Sequence, residues 1–245
     1  MRRRFFVEQF HGDRAVLEGD AAHHLGRVLR AEPGQLYELS DGNRVWLARV
    51  EEVKRDCVGF SLVEQLPADR PALQTTLLLS IVKFDAFEFA LEKATELGVG
   101  TIVPLAAARS EKALLAGASK RAERWKRILV EASQQSRRLR IPELAPLTKP
   151  DAVFPARSER LKVFLSERAD APPLRKILEG DGATGPAAAV ALAIGPEGGW
   201  TDLELECGRK QAFCEASLGR LILRTETAVI AALASLNYAF DRREL

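Results

Sequence analysis

A change of rhythm near residue 70 limits the folds open to this chain of 245 residues. From Arg4 to about Leu66, apolar residues come in short alternating runs: FFVEQF, RAVLEG, QLYELS, RVWLARVEEV and CVGFSLVEQL. Alternation of this kind puts successive side chains on opposite faces of a strand. Asp41-Gly42 marks a hairpin turn between two of the runs. One helical stretch, DAAHHLGRVLR, interrupts them, with Asp20 as N-cap and Ala22, Leu25, Val28 and Leu29 along one face, placed to close one end of a barrel. Pro67-Ala68-Asp69-Arg70-Pro71 is unsuited to helix or central strand and reads as a linker. Beyond it, apolar strands alternate with helices. The strands are LQTTLLLSIV, TIVPL, LKVFL, AAVALAI and a short one near Cys214–Leu218. The helices are AFEFALEKATEL stopped at Gly98, RAERWKRILVEASQQ, one from Asp202 and one from Glu226 to Phe240. Such a rhythm predicts a largely parallel sheet covered on both faces, with ligands beyond the strands' carboxyl ends. EGDGATGPAAA reads as a flexible connection, and no internal repeat is present.

With 47% hydrophobic and 29% charged residues, the chain has enough apolar surface for a core, which excludes fibrous and disordered classes. A formal net charge of +2 means that attraction to a polyanion must come from local clustering. Residues 107–140 supply it, with ten Lys/Arg against Glu111, Glu123 and Glu131. Two readings of this segment are open: a solvated helix face over an inward Trp125, Ile128, Leu129 and Ala132, or a track for phosphates. Cys57, Cys207 and Cys214 form no C-x-x-C pair, the N-terminus lacks a secretory apolar run, and no stretch is long and apolar enough to span a bilayer. The expected compartment is the cytoplasm. His23-His24 is a poor metal pair, because adjacent helical residues point about 100° apart. No metal site is expected.

Two motifs carry chemistry. Ile194-Gly195-Pro196-Glu197-Gly198-Gly199-Trp200 follows the strand AAVALAI and precedes Thr201-Asp202-Leu203-Glu204, whose spacing is that of a capping box. Strand, glycine loop and capped helix form either a ligand loop or a tight turn with no ligand. The loop matches neither G-x-G-x-x-G nor G-x-x-x-x-G-K-[ST], which removes support for a dinucleotide fold or nucleotide hydrolysis. The second motif, LGRLILRTETA from Leu218 to Ala228, precedes an apolar helix, with Thr225 as N-cap and Glu226 and Thr227 in the first turn. Arg224 and Glu226 read either as a local ion pair or as site residues.

These two motifs, with LEKATELGV, PLAAARSE, RWKRILVEASQQSRR and the N-terminal RRFFV, DAAHHLGRVLRAEPGQ and LSDG segments, resemble the RsmE family over nearly the whole chain. These are ribosomal RNA small-subunit methyltransferases acting on uridine N3, within the SPOUT superfamily. The resemblance implies an α/β fold: residues 1–70 a PUA-like RNA-binding β-barrel, and residues 71–245 a SPOUT domain with a deep trefoil knot that holds S-adenosylmethionine. It also implies a homodimer acting on small-subunit ribosomal RNA or the 30S particle. By position, the cofactor would lie against Leu165 and Ser166, against Ile194, Gly195, Pro196, Glu197, Gly198 and Gly199, and against Leu218, Gly219, Leu223, Thr225 and Thr227. Arg224 would stabilise the uridine oxygens, and Glu226 or Glu197 would assist proton removal. RNA would be met by Arg3, Arg4, His24, Arg27, Arg30, Arg109, Arg124, Arg137, Arg138 and Arg140. The chain departs from the family pattern at Gln134-Gln135, at Arg137-Arg138-Leu139-Arg140 and at Arg220-Leu221. The rivals are an RNA-binding assembly factor without catalysis and a ribose-oxygen methyltransferase.

Overall fold

The computed structural model describes residues 3–68, 71–179 and 188–240; Asp69 and Arg70 of the linker and most of EGDGATGPAAA lie outside them. The chain forms two compact units: Met1–Arg70 with Val130–Ile141, and Pro71–Leu129 with Pro142–Leu245. The alternation pattern places nothing beyond residue 70 in the first unit, so the segment 130–141 is the difference.

The first unit holds a five-stranded sheet in the order β1-β3-β4-β5-β2, made of β1 (Arg4–Phe6), β2 (Arg14–Glu18), β3 (Leu36–Ser40), β4 (Val45–Val53) and β5 (Cys57–Leu66). All pairings are antiparallel except β1 on β3. Phe5, Leu17, Leu39, Ala48, Val50, Val58 and Phe60 form its core with Ala22 and Leu25. The helix carrying those last two is shorter and starts earlier than expected. α1 is Gly19–His23 with Glu18, not Asp20, at the N-cap, because Gly19 takes φ +62°. His24–Val28 then continues as a π-turn, with the Leu29 amide donating to the His24 carbonyl. The β3–β4 turn falls at Asp41-Gly42 as expected, and Asp41 Oδ1 accepts from the amides of Asn43 (2.9 Å) and Arg44 (2.7 Å).

The second unit is a six-stranded, wholly parallel sheet in the order β11-β9-β10-β6-β7-β8. Its strands are β6 (Leu73–Ser80), β7 (Thr101–Leu105), β8 (Glu143–Leu144), β9 (Leu161–Leu165), β10 (Ala188–Ile194) and β11 (Cys214–Ala216). The period of two sorts side chains between two layers. Leu77, Leu79, Val163, Leu192 and Ile194 pack with α2 (Phe84–Glu96), α3 (Lys112–Gln135) and α7 (Thr225–Phe240). Leu78, Val103, Phe164, Ala191 and Ala193 pack with α4 (Pro150–Val153), the 3-10 turn Phe154–Ala156 and α6 (Asp202–Lys210). The short α5 (Leu174–Leu178) completes the set. α2 stops where expected, at Gly98 with φ +91°. α3 begins nine residues before Arg121, where the sequence pattern starts it. Among the described residues no helix is long and apolar enough to cross a membrane, and no group of three or more His, Cys, Asp or Glu is placed to hold a metal ion.

Candidate functional site

Because β11, β9 and β10 are parallel neighbours, the loops after them leave the same edge of the sheet. They line a cleft of about 450 Å³. After β10 the chain turns at Pro196–Gly199, where the Gly199 amide donates to the Pro196 carbonyl (2.8 Å) and Gly199 takes φ +69°. The turn runs into α6, whose capping box forms as the spacing predicts: the Glu204 amide donates to Thr201 Oγ1, and Thr201's amide donates to Glu204 Oε2 at 2.8 Å. Trp200 is the wall between two loops. Its Nε1 donates to the Leu165 carbonyl (2.9 Å), and its ring lies so close to Gly195 that a Cβ there would stand 3.1 Å from it. A side chain at Gly195 would have to displace the ring by a few tenths of an ångström.

The loop after β11 has a different character. Gly219 takes φ +135°, and among the described residues the amides from Gly219 to Arg224 donate no main-chain hydrogen bond. A run of unengaged amides beside a cleft is donor capacity for a ligand or water. Leu221 and Ile222 are 82% and 79% exposed at its rim. α7 begins one residue earlier than expected: the Arg224 carbonyl accepts from the Ala228 amide (2.9 Å), so Arg224 holds the N-cap position and Thr225 lies inside the helix.

Of the residues expected at the cofactor, Leu165, Ser166, Ile194, Gly195, Pro196, Glu197, Gly199, Leu218, Gly219, Leu223 and Thr225 line the cleft; Gly198 and Thr227 do not. Gly198 instead offers its carbonyl to Arg109 Nη1 (2.8 Å). Arg224 and Glu197 line the cleft, whereas Glu226 stands in the first turn of α7 outside its lining. No ion pair joins Arg224 to Glu226 among the described residues.

The cations expected to meet RNA are not alike. In the first unit Arg3, Arg27 and Arg30 are exposed, and His24 is half-buried in the π-turn. Arg4 is nearly buried: it donates to Glu38 Oε2 (2.9 and 3.1 Å) and to the Arg137 carbonyl (2.6 Å). Arg137 lies 3.6 Å from Glu38, Ser40 Oγ donates to the Leu139 carbonyl (2.8 Å), and Arg140 donates to the Gly42 carbonyl and Asn43 Oδ1. Burial lowers the Arg138 guanidinium to about 10, which leaves it charged at neutral pH. In the second unit Arg124 and Arg121 pair with the buried Glu88 (2.7 and 3.1 Å), and Arg109 lines the cleft.

A family model for an RNA methyltransferase domain matches residues 69–237, and one for an RNA methyltransferase PUA domain matches residues 17–58. Ribosomal RNA small subunit methyltransferase E of Synechocystis is 35% identical over 88% of this chain and 70% of its own length. The chain belongs to the ribosomal RNA small subunit methyltransferase E family. Its relative of the same name in Aquifex aeolicus is 30% identical over 95% of this chain and 97% of that protein. The family enzyme of Neisseria gonorrhoeae, solved bound to S-adenosyl methionine, superposes with a TM-score of 0.86 at 28% identity, covering 98% of each chain. A Legionella pneumophila methyltransferase solved with the bound cofactor SAM gives 0.86 at 32% identity, again over 98% of each. In this member of the family, four residues to which the motifs assign no site role build or brace the cleft. Trp200 and Glu204 stand in the glycine-loop motif, the first as a bulky ring beside glycines and the second as a cap. Glu167 and Arg168 follow β9 and line the cleft. Arg168 lies 3.3 Å from Asp170, 3.6 Å from Asp202 and 3.8 Å from Glu215. Only their place after a strand could have marked them.

Proposed function

We propose that the chain transfers the methyl group of S-adenosylmethionine to N3 of a uridine in small-subunit (16S) ribosomal RNA. The observation that carries this reading is the cleft at the carboxyl edge of β11, β9 and β10. Its roughly 450 Å³ lies within the ~300–1,000 Å³ usual for small-molecule sites. The unengaged amides of Gly219 to Arg224 suit recognition of a purine edge, and the turn at Pro196–Gly199 lines the same cleft, where a ribose and an aminoacyl arm would lie. Glu197, Glu167 and Arg168 give the lining the mixed charge that a zwitterionic arm requires.

Bound there, the donor supplies a methyl group on a positively charged sulphur. The rest falls to the chain. Arg224, on the cleft wall, holds the uridine oxygens and stabilises the charge that develops as N3 loses its proton. Glu197, also in the lining, takes the proton; Glu226, outside the lining, serves α7 as a first-turn acid. Alignment of N3 with the methyl group contributes as well, up to roughly 7–11 kcal/mol in favourable intramolecular cases. The same reading includes a PUA-like barrel in the first unit, a trefoil knot in the second, a cytoplasmic location and a homodimer; exposed Leu221, Ile222 and Tyr238 support a second copy.

The test is mass spectrometry of nucleosides from small-subunit ribosomal RNA or 30S particles incubated with the purified chain and S-adenosylmethionine. The expected product is N3-methyluridine, absent with the R224A variant. A ribose-methylated nucleoside, or none, would overturn the assignment.

A further inference from the structure

The segment after β7 is fastened at three points within the second unit. Ser110 Oγ donates to the Ile81 carbonyl just beyond β6 (2.8 Å, buried), and the Ala108 amide donates to Glu204 Oε1 (2.8 Å). Between them, Arg109 Nη1 donates to the Gly198 carbonyl (2.8 Å). Glu204 is thus shared, one oxygen closing the α6 capping box and the other holding this segment. Arg109 packs closely on the turn: a Cβ at Gly198 would stand 3.3 Å from its Cβ, and one at Gly199 3.3 Å from Glu167 Oε1. The Gly198 peptide is fixed by a cation that the charge pattern alone assigns to RNA.

We propose that Arg109 is a positioning residue for the donor site: with Ser110 and Glu204 it braces the Gly195–Gly199 turn so that the turn's cleft-facing backbone is set before the donor arrives. This rests on the cleft being the S-adenosylmethionine site. A preset turn avoids the ordering cost that a loose glycine segment would meet on binding, and a hydrogen bond from a charged group is among the stronger ones. The expected effect therefore falls on donor affinity and not on RNA.

The experiment compares wild type, R109A and R109K by calorimetric titration with S-adenosylmethionine, by thermal unfolding without ligand, and by RNA binding at several salt concentrations. R109A should weaken donor binding about tenfold or more, with the salt slope of RNA binding unchanged. R109K, which can still donate to one carbonyl, should recover most of that loss. Unchanged donor affinity in R109A, or a reduced salt slope with normal donor affinity, would overturn the brace. Should R109A fail to fold, R109K and R109M carry the comparison, since methionine has a similar reach but no donor, and equal donor affinity in both would again overturn it. Wild-type protein that takes up no donor would instead refute the reading of the cleft, a distinguishable result.

Discussion

Single residues show where charge and volume are decided by partners that a sequence does not name. Counting cations between residues 107 and 140 finds the electrostatic asymmetry, yet Arg121 and Arg124 are held by Glu88 and Arg109 by a glycine carbonyl. These partners lie 33, 36 and 89 residues away, beyond the reach of any local pattern. Glycines divide in the same way. Gly195 was legible from its motif, whereas Gly208 was not: a Cβ there would stand 2.8 Å from the Phe164 ring, where α6 crosses β9. G208A should therefore lose about 1–3 kcal/mol, read as a lower unfolding midpoint in denaturant with an unchanged slope. W200F removes the donor to the Leu165 carbonyl. We expect a stability loss of about 0.5–1.5 kcal/mol together with a raised KM for S-adenosylmethionine, since two cleft loops lose their tie. Steady-state kinetics beside a melting curve checks both.

Among elements, those with a strong period or a strong stop were readable, and those made by tertiary packing were not. The apolar run in LQTTLLLS, the capping box at Thr201 and the stop at Gly98 each carry their cause locally. β8 has two residues, α4 four and α5 five, too short for periodicity to register. α7 starts at Thr225 with Arg224 as cap; the helix end is set by the loop's path as much as by the hydroxyl. T201A should cost about 0.5–2 kcal/mol through the missing cap, visible as a lower melting temperature. The β3–β4 turn makes a pH prediction. Burial works to raise the Asp41 carboxyl, but the amides of Arg44 and Asn43 and the Arg44 guanidinium together hold it below its ordinary 3.8. A depressed carboxylate stabilises the fold above its unfolded value and loses that contribution as pH falls through the folded one. Stability of the wild type should thus drop below about pH 4 more steeply than that of D41N, as followed by unfolding at a series of pH values.

At the scale of the whole molecule, two units divide the work. Family resemblance and composition placed a boundary near residue 70, but the assignment of 130–141 to the first unit comes from Arg4, Glu38, Ser40 and the turn at Gly42, all packed against that segment. Accessible and nearly buried arginines of this unit should behave differently. R27A with R30A should lower the salt slope of RNA binding by roughly 0.7–0.9 for each phosphate left without its cation, with stability unchanged. R4A should destabilise the unit instead, because Glu38 would lose its closest partner. Binding isotherms at several salt concentrations, paired with melting curves, separate the two classes. The central claim concerns the second unit: that loops at one sheet edge take S-adenosylmethionine. Amide hydrogen exchange with and without that donor tests it most directly. Protection should appear at residues 195–199 and 218–225, whose amides are otherwise largely unengaged; protection confined to other segments, or none at saturating donor, would contradict it.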